Sequence, residues 1–143
     1  MIERTLVILK PDAIENDAFV PINEAIAALG LAIGGFAMVS PHLPPELVRA
    51  LYAQYVDAPF FPRILAYMTR GICAAVIWQG EDAVAKVRAL AGATRPDQAA
   101  PDTLRARYGR ITAEGGIENA VHCSATPEEA EREIALFFPP GSN

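Results

Sequence analysis

Ile72-Cys73-Ala74-Ala75-Val76-Ile77-Trp78 is a stretch without a single charged or hydroxyl side chain. A run of this kind suits a strand at the centre of a sheet, where neighbours and covering layers keep water away. A chain that contains one must also supply flanking strands and helices to cover them. Thr5-Leu6-Val7-Ile8-Leu9 is a second buried-strand candidate. It stops at Lys10-Pro11-Asp12, which reads as a turn because Pro11 has no N–H to give to a ladder. Leu31 to Val39 reads as another strand, with Gly34-Gly35 marking a bulge or tight bend. Asn119 to Cys123 reads as a short last strand.

Helical spacing fills the gaps between these runs. Ile22, Ala25, Ile26 and Leu29 repeat at that spacing, and Gly30 stands where a helix-terminating glycine belongs. Pro44 or Pro45 opens a second helix at its first turn, with Leu47, Leu51 and Tyr55 on one face. Pro59 interrupts, and Phe60 to Tyr67 reads as a short helix, Phe61 more core-like than Phe60. Val84, Val87 and Leu90 form the inner stripe of the next helix, with Glu81 and Asp82 at its dipole-favoured start and Gly92 at its end. Ala93 to Gly116 lacks periodicity apart from a helical turn near Asp102 to Arg107, and long irregular stretches in compact domains are often functional. Thr126-Pro127-Glu128-Glu129 reads as a capping box opening a last helix, with Ala130, Ile134 and Phe137 inward and Pro139-Pro140-Gly141 ending it.

The order β-α-β-α-α-β-α-loop-β-α is that of an α/β (α+β) chain of the ferredoxin-like βαββαβ plan. It implies a four-stranded antiparallel sheet, helices on one face and an inserted loop before the last strand. The 143 residues show no internal repeat and no linker, so residues 1–143 are read as a single domain. No apolar stretch approaches membrane-spanning length, and two cysteines without metal-ligand spacing fit a reducing, cytoplasmic setting. A net charge of −5 argues against nucleic acid or an anionic membrane as partner. Lys10 and Lys86 are the only lysines, and the arginines that make up the other cations are the better fork for phosphate oxygens.

Among side chains able to do chemistry, His122 stands out by its company. It lies at a strand end just before a helix start, a setting that favours a nearby anion. A lone histidine is more often structural, and His42, set among Pro41, Leu43 and Pro44, is assigned no role. Glu133 on the closing helix could hold one ring nitrogen of His122 and leave the other free to attack, although a solvated helix glutamate is the commoner case. Lys10 at a strand end suits a phosphate or a sugar hydroxyl. Arg88, Thr94 and Arg105 border the irregular loop and suit a polyphosphate clamp, which phosphoryl transfer needs because its transition state spreads negative charge. Tyr52 and Phe60 are aromatics that suit stacking beside a cleft, although core packing is the commoner fate. Cys123, near a helix start, is a candidate for a lowered thiol pKa, although a small buried residue is the commoner case.

Taken in order, Arg4-Thr5-Leu6, Lys10-Pro11-Asp12, Tyr52, Pro59-Phe60-Phe61, Arg88, Gly92, Thr94, Thr103-Leu104-Arg105, Asn119-Ala120-Val121-His122, Ser124 and Glu133 resemble the nucleoside diphosphate kinase family. The resemblance covers nearly the whole chain and implies a ping-pong transfer of the γ-phosphate of a nucleoside triphosphate to a diphosphate. It implies His122 as the phosphate carrier, with Glu133 orienting it and Tyr52 beside it. Lys10 and Asn119 would meet the sugar hydroxyls, with Lys10 also at the transferred phosphate. Arg88, Thr94 and Arg105 would meet the phosphates, and Phe60 the base. It also implies Mg²⁺ carried in on the nucleotide, nucleoside tri- and diphosphates as partners, and a homo-oligomer built from dimers. His122-Cys123-Ser124-Ala125 departs from the family's usual His-Gly-Ser-Asp, and the stretch between Arg105 and Asn119 is longer than usual. Whether Ile111, Thr112 or neither faces the base is left open. A second reading of the same residues is a nucleotide-binding or interaction module of this fold with little kinase activity.

Overall fold

The computed structural model describes residues 1–140. Its main sheet has four strands: β1 (Ile2–Leu9), β2 (Ala32–Val39), β3 (Cys73–Glu81) and β6 (Val121–Cys123). They lie in the order β2-β3-β1-β6, every neighbour antiparallel, which is the ferredoxin-like arrangement. The uncharged run at 72–78 forms most of β3, between β1 and β2, as its composition requires. The β2–β3 register slips between Ile33 and Gly35, so the paired glycines do mark a bulge.

The helices cover both faces of the sheet and not one. Val7, Leu9, Val76 and Trp78 pack in one cluster with residues of α2 (Phe19–Ala27) and α5 (Ala83–Ala91). Leu6, Ile8, Ala75 and Ile77 pack in a second with residues of α3 (Pro45–Leu51), α4 (Phe61–Met68) and α7 (Pro127–Phe137). Side chains alternate across a strand, so consecutive apolar residues in β1 and β3 feed both layers. A one-sided sheet would have left half of them in water.

Local expectations were met unevenly. Lys10-Pro11-Asp12 is no simple turn: Pro11 opens a helix, α1 (Pro11–Glu15), where its missing N–H leaves nothing unsatisfied. In α3 the buried residues are Val48 and Leu51, while Tyr55 sits exposed in a 3₁₀ turn. Asp82 precedes α5 in a left-handed conformation, and its side chain does not cap; Oε1 of Glu3 accepts from the Val84 N–H instead, at 2.8 Å. The irregular stretch holds a 3₁₀ turn, the short α6 (Leu104–Tyr108), and a hairpin of β4 (Arg110–Ile111) and β5 (Ile117–Glu118) that periodicity did not reveal. Thr126 caps α7 by accepting from the Glu129 N–H at 3.0 Å, but the Glu129 carboxylate turns to Arg132, so the box is half closed. Phe61 is buried and Phe60 is not. Gly141, named above as part of the stop after α7, lies outside the described residues.

Candidate active site

The even-numbered side of β1 faces α3, α4 and α7, and Ile8 pairs with His122 across the β1–β6 ladder. This register turns His122 toward the same layer. There α7 brings Glu133, and the residue that ends α3 is Tyr52. A cleft of about 660 Å³ opens at this point. His122, Glu133, Lys10, Tyr52, Phe60, Arg88, Thr94, Arg105 and Asn119 all line it. A shallower hollow of about 770 Å³ beside Met1, Arg4 and Glu131 contains none of them.

His122 is held from two sides. Its Nε2 lies 2.9 Å from Oε1 of Glu133. A carboxylate can only accept, so the ring proton is on Nε2 and Nδ1 keeps its lone pair. Among the described residues Nδ1 makes no hydrogen bond. The ring of Tyr52 meets the imidazole edge-on, centroids 5.9 Å apart. Glu133 is itself positioned: the Ser124 hydroxyl donates to the same Oε1 at 2.7 Å and accepts from the Leu6 N–H at 3.1 Å. Burial opposes the charge of Glu133, yet the hydrogen bonds from His122 and Ser124 outweigh it and hold the carboxyl below its ordinary range.

Lys10 follows β1 and is only 7 % exposed. Its Nζ donates to Oδ1 of Asn119 at 2.7 Å and lies 5.3 Å from the centre of the Tyr67 ring. Burial, reinforced by the Arg105 cation, lowers this ammonium to about 8. The amide of Asn119 donates to the Thr94 carbonyl at 3.0 Å, which ties the Lys10–Asn119 pair to the loop that follows α5. Arg105 donates to the carbonyls of Gly92, at 2.9 Å, and Val121, at 3.0 Å, while its Nε is buried without a partner among the described residues. Gly92 sits at φ +86, and a Cβ there would come within 2.6 Å of Thr103, so glycine is needed to bring its carbonyl to Arg105.

The mouth of the cleft is unlike its floor. Arg88 and Thr94 are exposed, and neither side chain makes a hydrogen bond among the described residues. Phe60 is 51 % exposed, with Tyr55 tilted against it at 5.6 Å between centroids. Ile117 of the hairpin lines the cleft as well, whereas Ile111 and Thr112 do not. Sequence reasoning assigned no role to Asp12, Tyr67, Arg63 or Arg132. The Tyr67 hydroxyl donates to Asp12 at 2.5 Å, and helical spacing from Phe60 places Tyr67 on the cleft side of α4. Cys123 is the small buried residue of the two readings: burial pushes its thiol up, against the nearby cations. His42 remains an exposed loop residue, its Nδ1 2.9 Å from the Leu43 carbonyl.

The family model for nucleoside diphosphate kinase matches residues 3–142. The chain belongs to the nucleoside diphosphate kinase family. A nucleoside diphosphate kinase of Clostridium perfringens is 40% identical over 138 residues, which is 96% of this chain and 92% of that protein. One from Mycolicibacterium smegmatis is 40% identical over 140 residues, covering 97% and 96%. The crystal structure of the Aquifex aeolicus nucleoside diphosphate kinase superposes with a TM-score of 0.89 at 34% identity, over 99% of each chain. The activity of the family is transfer of phosphate from a nucleoside triphosphate to a nucleoside diphosphate, and this chain is an enzyme of that kind. No helix among the described residues is long and apolar enough to cross a membrane.

Proposed function

We propose that His122 carries the phosphate. Nδ1 attacks the γ-phosphorus of the triphosphate, the bond from that phosphorus to the β–γ bridging oxygen breaks, and the diphosphate leaves with those electrons. In the second half-reaction a terminal oxygen of another diphosphate attacks the phosphohistidine, and the phosphorus–nitrogen bond breaks. The observation that carries this reading is the Nε2–Glu133 hydrogen bond, which fixes the tautomer and leaves Nδ1 as the nucleophile in a cleft lined with cations. Glu133 also steadies the positive ring that forms as the phosphorus arrives.

The remaining roles follow from position. Arg88, Thr94 and Arg105 hold the phosphates, and their cations offset the charge that spreads over the equatorial oxygens. Lys10 and Asn119, already paired, meet the sugar hydroxyls, and Lys10 reaches the transferred phosphate. Phe60 stacks on the base, with Ile117 as the facing wall; a π-face is common to all bases, so base selectivity is low. The substrate is the magnesium nucleotide. Among the described residues no three His, Cys, Asp or Glu side chains group as metal ligands, and the cleft carboxylates Glu129 and Glu133 are each engaged by a neighbour. Phosphate oxygens and water would hold the cation, since Mg²⁺ keeps several waters and takes substrate phosphates as ligands.

Residues 1–143 act as one such domain, in the cytoplasm, within a homo-oligomer built from dimers. Support for the oligomer comes from edge strand β2, which exposes Ile33, Phe36 and Met38 at 55, 48 and 47 %. An apolar free edge invites another strand. The test of the chemistry is direct. Incubated with γ-labelled ATP, the wild-type chain takes an acid-labile label that GDP removes, and His122→Ala takes none. A wild type that binds nucleotide without labelling, or a His122→Ala that labels equally, overturns the reading.

A further inference from the structure

Asn119 and His122 are three residues apart, and in an unbroken strand such a pair points to opposite faces. Both nevertheless line the one cleft. The break in alternation lies at Ala120. Its φ is +68, and the Val121 N–H bonds back to the Asn119 carbonyl at 2.7 Å, closing a three-residue turn around it. A γ-turn with positive φ is rare and strained, and alanine has none of glycine's freedom to adopt it. Ala120 is also fully buried, so water does not satisfy its backbone.

The segment after β1 grips this turn from both sides. The Lys10 N–H donates to the Ala120 carbonyl at 2.8 Å, and the Ala120 N–H donates to Oδ2 of Asp12 at 3.1 Å. The other oxygen of Asp12 accepts from the Tyr67 hydroxyl at 2.5 Å. Asp12 is 1 % exposed, and among the described residues no cationic side chain makes an ion pair with it. A buried carboxylate held in this way is costly unless its hydrogen bonds do something specific.

We propose that Asp12, braced by Tyr67, is a positioning residue that locks Ala120 in its left-handed turn and so sets Asn119 and His122 side by side. The proposal rests on the reading of His122 as phosphate carrier. Asp12 touches no reacting atom. It acts through the backbone, registering the sugar-side pair Lys10–Asn119 against the phosphate-side imidazole. Strain at a functional site persists only where surrounding groups over-determine it, and here both polar groups of one peptide residue are bound by residues 10 and 12.

The experiment compares wild type, Asp12→Ala, Ala120→Gly and the double variant by steady-state kinetics and by the rate of phosphohistidine formation. Asp12→Ala is expected to lower kcat/KM about a hundredfold, the scale of a displacement near 1 Å, with kcat falling and KM rising together. Glycine adopts positive φ without penalty, so Ala120→Gly in the Asp12→Ala background is expected to recover about tenfold. A gain in the phosphohistidine rate of folded Asp12→Ala that exceeds the gain Ala120→Gly gives to wild type is not a property of general destabilisation. If Asp12→Ala does not fold, Tyr67→Phe removes only the brace, and a fall of about fivefold that Ala120→Gly reverses is expected. A folded Asp12→Ala within about threefold of wild type, or a loss that Ala120→Gly leaves untouched in both backgrounds, overturns the proposal. The wild type's own labelling by ATP separates this failure from failure of the His122 reading.

Discussion

The floor of the cleft and its mouth are built on opposite principles. On the floor four side chains of the proposed chemistry are already tied to a neighbour: His122 to Glu133, Glu133 to Ser124, Lys10 to Asn119, and Asn119 to the Thr94 carbonyl. At the mouth Phe60, Arg88 and the Thr94 hydroxyl face water. Preorganisation matters where charge develops, because a group already oriented does not have to reorganise during the reaction. Groups that only hold the substrate can wait for it, since the ligand supplies their partners. Substitutions on the floor should therefore reduce turnover, and substitutions at the mouth should mainly raise KM.

The largest effect is expected at Glu133. Glu133→Gln keeps the shape, but the amide can present N–H to Nε2 and so favour the wrong imidazole tautomer. kcat should fall about a hundredfold with little change in KM. The same carboxyl gives a pH signature. Its folded pKa lies below the ordinary 4.5, so its contribution to stability is present above that value and is lost as pH falls through the folded pKa. Denaturant titrations below pH 4.5 should show a shallower loss in Glu133→Gln than in wild type. If the variant changes KM and leaves kcat alone, the division between floor and mouth fails at its central residue.

Lys10 tests the floor from its other side. Its ammonium titrates near 8 in the fold and at 10.5 when unfolded, so the unfolded chain binds more protons between these values. Wild-type stability should then rise with pH across that window relative to Lys10→Met, as the cost of burying the charge is relieved. Activity runs the other way: turnover should fall above about pH 8 as the cation is lost. Lys10→Met should lower kcat/KM on the order of 30-fold, the worth of a hydrogen bond to a charged group. A flat stability difference between pH 8 and 10.5 would show that the ammonium is solvated and the floor open.

At the mouth, Phe60→Ala should raise KM about tenfold for purine and pyrimidine nucleotides alike and leave kcat nearly unchanged, since stacking does not read the base edge. A matching fall in kcat would mean that the platform also steers the phosphate.

How far these two regions could be read beforehand differs in the same way. The strands were legible because apolar runs such as Ile72–Trp78 announce themselves. The side chains of the cleft were legible through their order along the chain, as the resemblance used them. Two-sided helix packing was present in those uncharged runs and was passed over for the simpler plan. What could not be read is what joins the floor together. Pro11 signals a turn and a helix start equally well, so α1 was missed. Ala120 carries no mark of a left-handed conformation, because that conformation is imposed by Asp12 and Lys10 from far away in sequence. The β4–β5 hairpin, with Arg110 and Ile111 facing Glu118 and Ile117, is too short for any period to emerge.

Cys123 should show the smallest effect and gives the sharpest check on the closed floor. It adjoins His122, lines the cleft and is 6 % exposed, with its thiol raised by burial. Thiolate is the reactive form, and burial suppresses it here although Arg105, Arg88 and Lys10 pull the other way. Native protein should therefore react with a thiol reagent far more slowly than unfolded protein, and peroxide should inactivate wild type and Cys123→Ser at the same rate. Cys123→Ser should itself leave turnover unchanged. Fast labelling of Cys123 in the native chain, with loss of activity that Cys123→Ser resists, would mean that water reaches the residue beside the nucleophile. The floor would then be as open as the mouth, and its hydrogen bonds would be open to exchange with water.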